Sequence, residues 1–408
     1  MQSMYRTSLI CLGFTTISFT QFSLFGTALP IIVMDLGVGY DLIGVLMALW
    51  ISVSAIAALI LSRYIDKVNI FRFAVLELAI LSISSLLTAF SSNLIMLSFA
   101  RILLSFSMPF IWPVCAKIVS MHYVSNRYGY STALYNIGSI IGLALTYIII
   151  ALIGGNWRIS MITASILGFI YTIVMFSAWR TFISGKEVDV KVKSRDVDKS
   201  HGLTNNTKLR RDFVKIGILL FSAFFFALYT WSFIINWLST FLIYELRYDY
   251  SYVAIYMAFI AIVASFLEIN AGIYSDKIGG LEGKVRILYM GLIPSAILLL
   301  STTVSSNSLA KMISITLSII MYRIATPSFW SIVNEAIPMG YIGRFGAIYT
   351  LAGPFSGIAS SIINGYIVAL TNSIKYGIIL SAILLILSIL LYSIVKKFYK
   401  STSHSSLY

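Results

Sequence analysis

The sequence predicts an all-α membrane protein whose twelve transmembrane helices form two pseudo-symmetric six-helix bundles. Of its 408 residues, 59% are apolar and 11% are charged, whereas an ordinary soluble domain has about 45–50% and about 25%. Twelve apolar runs are long enough to cross a hydrocarbon core roughly 30 Å thick. Short motifs of the first six runs recur in the last six. This composition excludes a soluble cytosolic enzyme.

The twelve runs are predicted to be helices because a backbone in lipid must satisfy its own hydrogen bonds. They are too long for barrel strands and lack the alternation of a strand. The first run far exceeds the roughly 7–15 apolar residues of a signal peptide, so it is retained as a span. The predicted spans are Thr7–Met34, Leu42–Leu61, Phe73–Phe90, Leu94–Ala116, Tyr130–Ile153, Ile159–Trp179, Ile216–Tyr244, Tyr252–Tyr274, Ile287–Val304, Met312–Val333, Phe345–Leu370 and Tyr376–Val395.

Basic residues predict the orientation of the chain. The net charge is +14, and Lys and Arg lie mostly in the connections on the side of both termini. Because such loops stay in the cytoplasm, we expect a multi-pass protein of the cell (plasma) membrane with both termini cytoplasmic. The positive charge lies between apolar runs, so its expected partner is the lipid bilayer, and no nucleic acid is expected.

The chain divides into four predicted parts: an N-terminal bundle (1–180), a basic linker (181–211), a C-terminal bundle (212–396) and a cytoplasmic tail (397–408). We expect the linker to be a solvated tether against anionic headgroups, with a folded regulatory module as the alternative. Three motifs recur between the halves, which indicates duplication of a six-helix unit. The pairs are Asp66-Lys67 with Asp276-Lys277, Arg101 with Arg323, and Arg127-Tyr128-Gly129 with Arg344-Phe345-Gly346.

Six helices, a basic linker and six more helices resemble the major facilitator superfamily. The pattern Gly-x-x-x-Asp-Lys/Arg-x-Gly after the second helix of each half strengthens this resemblance, which covers about residues 6–396. The second copy, from Gly272 to Gly280, is the better preserved. In the first copy Ser62 and Asn69 replace the glycines. The resemblance implies a secondary transporter whose two bundles rock about a central site.

The same resemblance implies a latch between the halves on the cytoplasmic side. The motif carboxylate would face a helix N-terminus, where unpaired N–H groups carry positive partial charge. Glu335 is a candidate partner for Lys277, Lys284 or Arg344. The predicted gate residues are Asp66, Lys67, Gly272, Asp276, Lys277, Gly279, Glu335 and Arg344.

Four charged residues lie inside the predicted spans, and each is a functional hypothesis because charge in a membrane is costly. Glu77 follows Arg72 by five residues, so we expect it to reach the cytoplasmic face or to pair with that arginine. Glu268 lies roughly 12 Å along its helix from Asp276, which suits either proton coupling or a buried ion pair. Arg101 and Arg323 are predicted to bind an anionic solute together, with bracing of neighbouring helices as the alternative.

Polar residues on the helices that line the cavity in the family resemble solute-contacting groups. Each could equally form a hydrogen bond between helices. These residues are Gln21, Tyr135, Asn136, Tyr229 and Asn236.

The sequence predicts a secondary active transporter of the symporter kind, with protons as the expected coupling ion, and it does not predict an enzyme. Its expected cargo is a small organic anion, moved by alternating access by a protein that functions as a monomer. Proton-driven efflux of apolar or cationic compounds is the alternative, supported by Gly138 and Gly142 of an antiporter-like half-motif. A membrane-embedded enzyme or a scaffold without transport is a further alternative. No catalytic residue, metal or cofactor is predicted, since Cys11 and Cys115 lie in apolar runs and the histidines lie outside the spans.

Overall fold

The computed structural model describes residues 2–65, 68–122, 128–184, 207–278, 280–337, 345 and 348–405. Within these ranges the regular backbone is helical throughout. Four predicted gate residues, Asp66, Lys67, Gly279 and Arg344, lie outside them, as does most of the predicted linker.

Twelve helices account for the twelve candidate membrane spans of the described chain, and one of these helices consists of two segments. Helix α4 consists of Leu94–Ser107 and Ile111–His122, joined by a 3-10 turn at Met108–Phe110 that contains Pro109. The others are α1 (Gln2–Leu36), α2 (Tyr40–Ile65), α3 (Ile70–Ala89), α5 (Tyr128–Leu152), α6 (Trp157–Ser184), α7 (Thr207–Ser239), α8 (Tyr250–Ile278), α9 (Gly280–Val304), α10 (Ser308–Ala336), α11 (Ala352–Thr371) and α12 (Lys375–Ser405).

The predicted spans are confirmed, and the differences lie at their polar ends. Helix α9 begins at Gly280 rather than Ile287, and α12 continues past Val395 to Ser405. Helix α6 ends at Ser184 and α7 begins at Thr207, so both enter the predicted linker. Hydropathy marks only the part of a helix that crosses hydrocarbon, which explains why polar helical turns beyond it were not predicted.

The environment of each helix follows from its apolar pattern. Of the 18 consecutive residues that are most apolar in α1, 78% are buried, whereas in α6 the buried share is 33%. Helix α1 is therefore central and α6 peripheral. Helix α8 keeps Ile255, Phe259, Ile262 and Phe266 exposed. Their spacing of three to four residues places them on one face of a helix, which suits contact with lipid chains.

The two halves meet along three helix pairs, α1 with α7, α2 with α11 and α5 with α8. Gly44 of α2 lies against Gly365 of α11, where a Cβ on Gly44 would be 3.1 Å from the Gly365 Cα atom. Tyr250 donates a hydrogen bond to the Thr27 carbonyl at 3.0 Å. These contacts lie at the ends of the helices remote from the chain termini. We call this end of the molecule the closed end.

The opposite end, which carries the termini, is called the terminal end. Among the described residues, hydrogen bonds between the halves are confined to the closed end, where Ser239 donates to the Gly26 carbonyl and Tyr250 to that of Thr27. Aromatic contacts of Tyr40 with Trp237 and Tyr244 reinforce it. These contacts hold the two halves together at the closed end.

Candidate solute-binding site

A small cavity lies between the halves, at the middle of α2. Three helices of the first half and one of the second form it, so a rocking motion of the halves would change its shape. Its lining consists of Phe22, Phe25, Gly26, Met47, Trp50, Ile51, Ser54, Arg101, Leu104, Ser105, Met108 and Asn236.

Arg101 provides the charge in this lining. Its side chain is 3% exposed, and Nη2 donates a hydrogen bond to the Phe22 carbonyl at 3.2 Å. Nε and Nη1 are buried without hydrogen-bond partners. Within the described ranges, no carboxylate lies within ion-pair distance of Arg101. The site therefore carries an uncompensated guanidinium.

Two aromatic rings hold the Arg101 guanidinium in place. Its Cζ atom lies 4.9 Å from the centre of the Phe25 ring and 5.4 Å from that of Trp50. The two rings meet edge to face, with their centres 5.0 Å apart. The negative face of an aromatic ring attracts a cation, so the rings position the guanidinium while leaving its N–H groups available.

Arg323, the counterpart of Arg101 in the second half, has a different environment. Its Nη2 lies 2.5 Å from Oε2 of Glu268, and Trp231 lies against the guanidinium with its ring centre 5.2 Å from Cζ. Oε1 of Glu268 accepts a hydrogen bond from Thr326 at 2.8 Å. Glu268 and Arg323 thus form a buried ion pair, which is one of the two roles predicted for Glu268.

The two arginines are not brought together in one cavity. Arg101 and Asn236 line the cavity, whereas Arg323 and Glu268 lie outside its lining. Joint recognition of one anion by both arginines stays a prediction that this conformation does not display. Arg101 alone combines a place in the cavity with an unneutralised charge.

Three of the other predicted contact residues are engaged in bonds between helices. Gln21 is fully buried, accepting from Ser85 at 3.1 Å and donating to Ser82 at 3.4 Å, which ties α1 to α3. Tyr229 accepts a hydrogen bond from Asn364 at 3.1 Å. Asn136 accepts from the indole of a neighbouring tryptophan at 2.9 Å. The structure therefore gives each of them a role as a brace.

Tyr135 and Asn236 complete the predicted set. Tyr135 is 5% exposed and belongs to an apolar cluster of the first half, away from the cavity lining. Its carbonyl accepts a hydrogen bond from Thr15 at 2.8 Å. Asn236, on α7, is 9% exposed and contributes an amide to the cavity.

Only part of the predicted gate lies within the described residues, so the gate stays a prediction. Lys277 and Glu335 are exposed, and Glu335 forms no ion pair with Lys277 or Lys284 among the described residues. The side chain of Asp276 lies outside the description. A Cβ on Gly272 would lie 3.8 Å from Pro327, so this glycine faces α10.

The prediction for Glu77 is wrong. Glu77 is 2% exposed, and neither of its carboxyl oxygens has a hydrogen-bond partner, while Arg72 is exposed. Five residues correspond to about 140° around a helix. Glu77 therefore points into the protein and Arg72 away from it, which prevents both the expected pairing and the expected contact with water.

The half-motif of α5 has a packing role. A Cβ on Gly142 would lie 2.6 Å from the Thr16 carbonyl oxygen, and one on Gly138 would collide with the Thr15 side chain. Both glycines thus let α5 approach α1 closely. Close approach of two helices explains the spacing without invoking antiport.

The aromatic residues of the cavity were not predicted from the sequence. Phe25 and Trp50 lie among many apolar neighbours in their spans, and only the packing of α1 and α2 against α4 brings them to Arg101. Ser54 and Ser105 add hydroxyl groups to the lining. The intramembrane arginine was the one signal that pointed to this place. Among the described residues, no group of three His, Cys, Asp or Glu could hold a metal ion.

Comparisons with known proteins agree with this architecture. The chain is 19% identical over 371 residues to the probable sulfoacetate transporter SauU of Cupriavidus necator, covering 88% of this chain and 86% of that protein. It is 20% identical over 334 residues to the uncharacterized transporter YybO of Bacillus subtilis, covering 77% and 76% of the two chains.

Solved structures share the fold at low sequence identity. A bacterial homolog of the human lysosomal transporter Spinster, in its inward-facing and unoccupied conformation, superimposes with a TM-score of 0.76 at 12% identity, covering 98% of each chain. The occupied inward-facing form gives a TM-score of 0.70 at 13% identity, covering 99% and 97%. The sequence description of the Major Facilitator Superfamily matches residues 11–361. The chain therefore belongs to the Major Facilitator Superfamily, a family of membrane transporters and not of enzymes.

Proposed function

We propose that this transporter carries a small organic anion that binds to Arg101. The observation behind the proposal is a guanidinium that is 3% exposed, lines the cavity between the halves and has no carboxylate partner among the described residues. An unneutralised charge inside a membrane is costly. An anionic solute supplies the missing partner.

The chemistry of guanidinium selects the class of solute. Its planar fork donates two parallel hydrogen bonds to a carboxylate, sulfonate or phosphate. Nε and Nη1 of Arg101 are free to donate. Asn236 and Ser54 offer neutral polar contacts nearby, while Phe22 and Met47 offer apolar ones. This lining suits a small anion with a short carbon skeleton.

One relative supports the same class. SauU is named a probable sulfoacetate transporter, and sulfoacetate carries a carboxylate and a sulfonate. At 19% identity this likeness supports the chemical class of the cargo.

Alternating access about the cavity is the proposed mechanism of transport. Basic residues cluster in the connections on the side of the termini, which assigns the terminal end to the cytoplasm. The closed end then faces outward, and the conformation is inward-facing. Rocking of the halves would separate α2 from α11 at Gly44 and Gly365, exposing Arg101 to the other side.

Protons are the proposed coupling ion, with Glu268 as the predicted carrier. Glu268 is paired with Arg323 in this conformation, so a proton must displace the guanidinium to bind. Freed from Glu268, Arg323 would become a second cation available to an anionic solute. Proton uptake and anion binding would thereby favour each other.

Efflux of apolar or cationic compounds is the second candidate. The apolar side chains of Phe22, Phe25, Met47 and Met108 in the lining favour it. A cation, however, would be repelled by Arg101, which has no acid within ion-pair distance in the described part of the chain. An enzyme or a scaffold would bind solute without moving it, so solute flux into proteoliposomes separates these classes.

Binding and uptake of sulfoacetate by the purified, reconstituted protein test the proposal. Arg101→Lys keeps the charge and loses the fork, so we expect affinity to fall roughly 10- to 150-fold, which corresponds to the about 1.5–3 kcal/mol of a charge-assisted hydrogen bond. Arg158→Lys is the matched control, because Arg158 is 37% exposed and pairs with Asp35.

A panel of carboxylates, sulfonates and lipophilic cations completes this experiment. Saturable binding of any anion in the panel, weakened by Arg101→Lys and unchanged by Arg158→Lys, supports the proposal. Binding of cations alone, or equal affinity in wild type and Arg101→Lys, overturns it.

A further inference from the structure

We propose that Glu77 is a second proton-binding site, separate from Glu268, and that it releases its proton when the Ile111–His122 segment of α4 moves. Glu77 lies on α3, is 2% exposed, and has no hydrogen-bond partner on either carboxyl oxygen. It is the one acid of the described spans that is deeply buried without a basic partner, since Glu268 is paired with Arg323.

The surroundings of Glu77 are apolar. Its helix neighbours Ala74 and Leu78 belong to a buried cluster that includes Phe14 of α1, Ile111 of α4 and Met175 of α6. An isolated carboxylate in such a place is strongly disfavoured, so the group takes up a proton instead. In this conformation Glu77 is therefore neutral.

In the described part of this cluster, the titratable side chains are those of Cys11, Cys115, Tyr135 and Tyr171, and none of them is basic. Cys115 of α4 lies within electrostatic range of the carboxyl, and its thiol donates to the carbonyl of Cys11 on α1 at 3.8 Å. Tyr171 of α6 donates its hydroxyl to the carbonyl of Ile10 at 2.8 Å. None of these groups stabilises a charged Glu77, so water must reach the carboxyl before it can ionise.

Helix α4 connects Glu77 to the cavity. Its first part carries Arg101 and Ser105, which line the cavity, and its second part carries Cys115, which lies within electrostatic range of Glu77. The 3-10 turn Met108–Phe110 separates the two parts. Short 3-10 stretches within a helix often mark hinges. Bending at this turn would uncover Glu77 without disturbing the aromatic contacts of Arg101.

Protonation and opening are then linked. Ionised Glu77 favours the uncovered state because only there is it hydrated, so raising the pH should shift the protein toward that state. Glutamine at position 77 stays neutral and should hold the segment in place at every pH. This linkage requires no solute, so its test is independent of the proposed anion specificity.

Native Cys115 reports the opening, because it is fully buried here. In the full-length protein with Cys11→Ser, the rate of alkylation of Cys115 by N-ethylmaleimide is measured in detergent from pH 6 to pH 9, with Glu77 and with Glu77→Gln. Thiol ionisation raises both rates with pH, and an ionised Glu77 would itself disfavour the nearby Cys115 thiolate. A wild-type rate that exceeds the Glu77→Gln rate therefore reports opening and not thiol ionisation. Asp249→Asn, which replaces an exposed acid, is the control.

We expect the two rates to agree at low pH and the wild-type rate to exceed that of Glu77→Gln at high pH, with Asp249→Asn behaving as wild type. A ratio that stays at one across the range overturns the proposal. If Glu77→Gln does not fold, infrared spectra of the wild type decide. A protonated carboxyl band that persists at pH 7 and is lost at high pH supports the proposal, and its absence overturns it.

Discussion

Nη2 of Arg323 lies 2.5 Å from Oε2 of Glu268, and the two side chains are 6% and 7% exposed. Thr326 binds both partners, donating to Oε1 of Glu268 and to the carbonyl of Arg323. Arg101, at the corresponding place in the first half, has aromatic rings where Arg323 has a carboxylate. The corresponding positions of the two halves therefore differ, because Arg323 is paired with a carboxylate and Arg101 has none within ion-pair distance among the described residues.

Replacing one partner of the Arg323–Glu268 pair should lower the free energy of unfolding more than replacing both partners. Glu268→Gln leaves a buried guanidinium without its partner, and such changes cost about 3–5 kcal/mol. The double variant Glu268→Gln with Arg323→Met removes both charges and should regain most of this stability. Equilibrium unfolding in mixed micelles measures both.

Asp35→Asn is the matched control for that comparison. Asp35 pairs with Arg158, but their side chains are 41% and 37% exposed, so we expect a change of about 0–1 kcal/mol. A double variant no more stable than Glu268→Gln would contradict the interpretation of the pair as a self-contained unit.

Tyr229→Phe distinguishes a helix brace from a solute contact. The phenolic oxygen of Tyr229 accepts from Asn364 at 3.1 Å, and loss of one such bond typically costs about 0.5–1.5 kcal/mol. We therefore expect a lower unfolding temperature and unchanged sulfoacetate affinity. Asn236→Ala, which changes a residue of the cavity lining, should show the opposite pattern. Loss of affinity in Tyr229→Phe would restore Tyr229 to the binding site.

The sequence predicted the membrane spans, but it did not predict which side chains meet at the candidate binding site. Spans follow from the requirement that a helix in lipid be apolar over its whole crossing, a property of consecutive residues. Contacts such as that of Trp50 with Arg101 depend on how two helices rotate against each other. The intramembrane charges were visible, but which of them share a partner was not. Glu77 is close to Arg72 along the chain but about 140° away from it around the helix, so closeness in sequence did not predict its burial.

Cysteine labelling tests the orientation proposed for the membrane. Lys397 lies at the terminal end, and Ser306 lies in the connection between α9 and α10 at the closed end, and both are exposed. The native cysteines are fully buried, so background labelling should be low. In intact cells an impermeant maleimide should label Ser306→Cys, whereas Lys397→Cys should react only after the membrane is opened. Labelling of Lys397→Cys in intact cells, with Ser306→Cys reacting only after the membrane is opened, would contradict the proposed inward-facing conformation.

Gly44→Ala should weaken the closed end. A Cβ at this position would collide with the Ser361 carbonyl and lie 3.1 Å from the Gly365 Cα atom. Both obstacles are backbone of α11, which cannot rotate away as a side chain can, so α2 and α11 must separate. We expect the population to move toward the state in which this end is open. Spin labels on cysteines at Ser92 and Ser306, exposed residues of the two halves, should report longer distances.

Gly353→Ala provides the matched control on the same helix, α11. A Cβ there would meet only Leu228 Cδ1, at 3.8 Å, which is ordinary van der Waals contact. The control should therefore keep the wild-type distance distribution. Because the separation in Gly44→Ala arises at the interface of the halves, it should also slow sulfoacetate uptake while leaving the fold intact. Equal distance shifts in the two variants would show that helix flexibility, and not close packing at Gly44, controls the closed end.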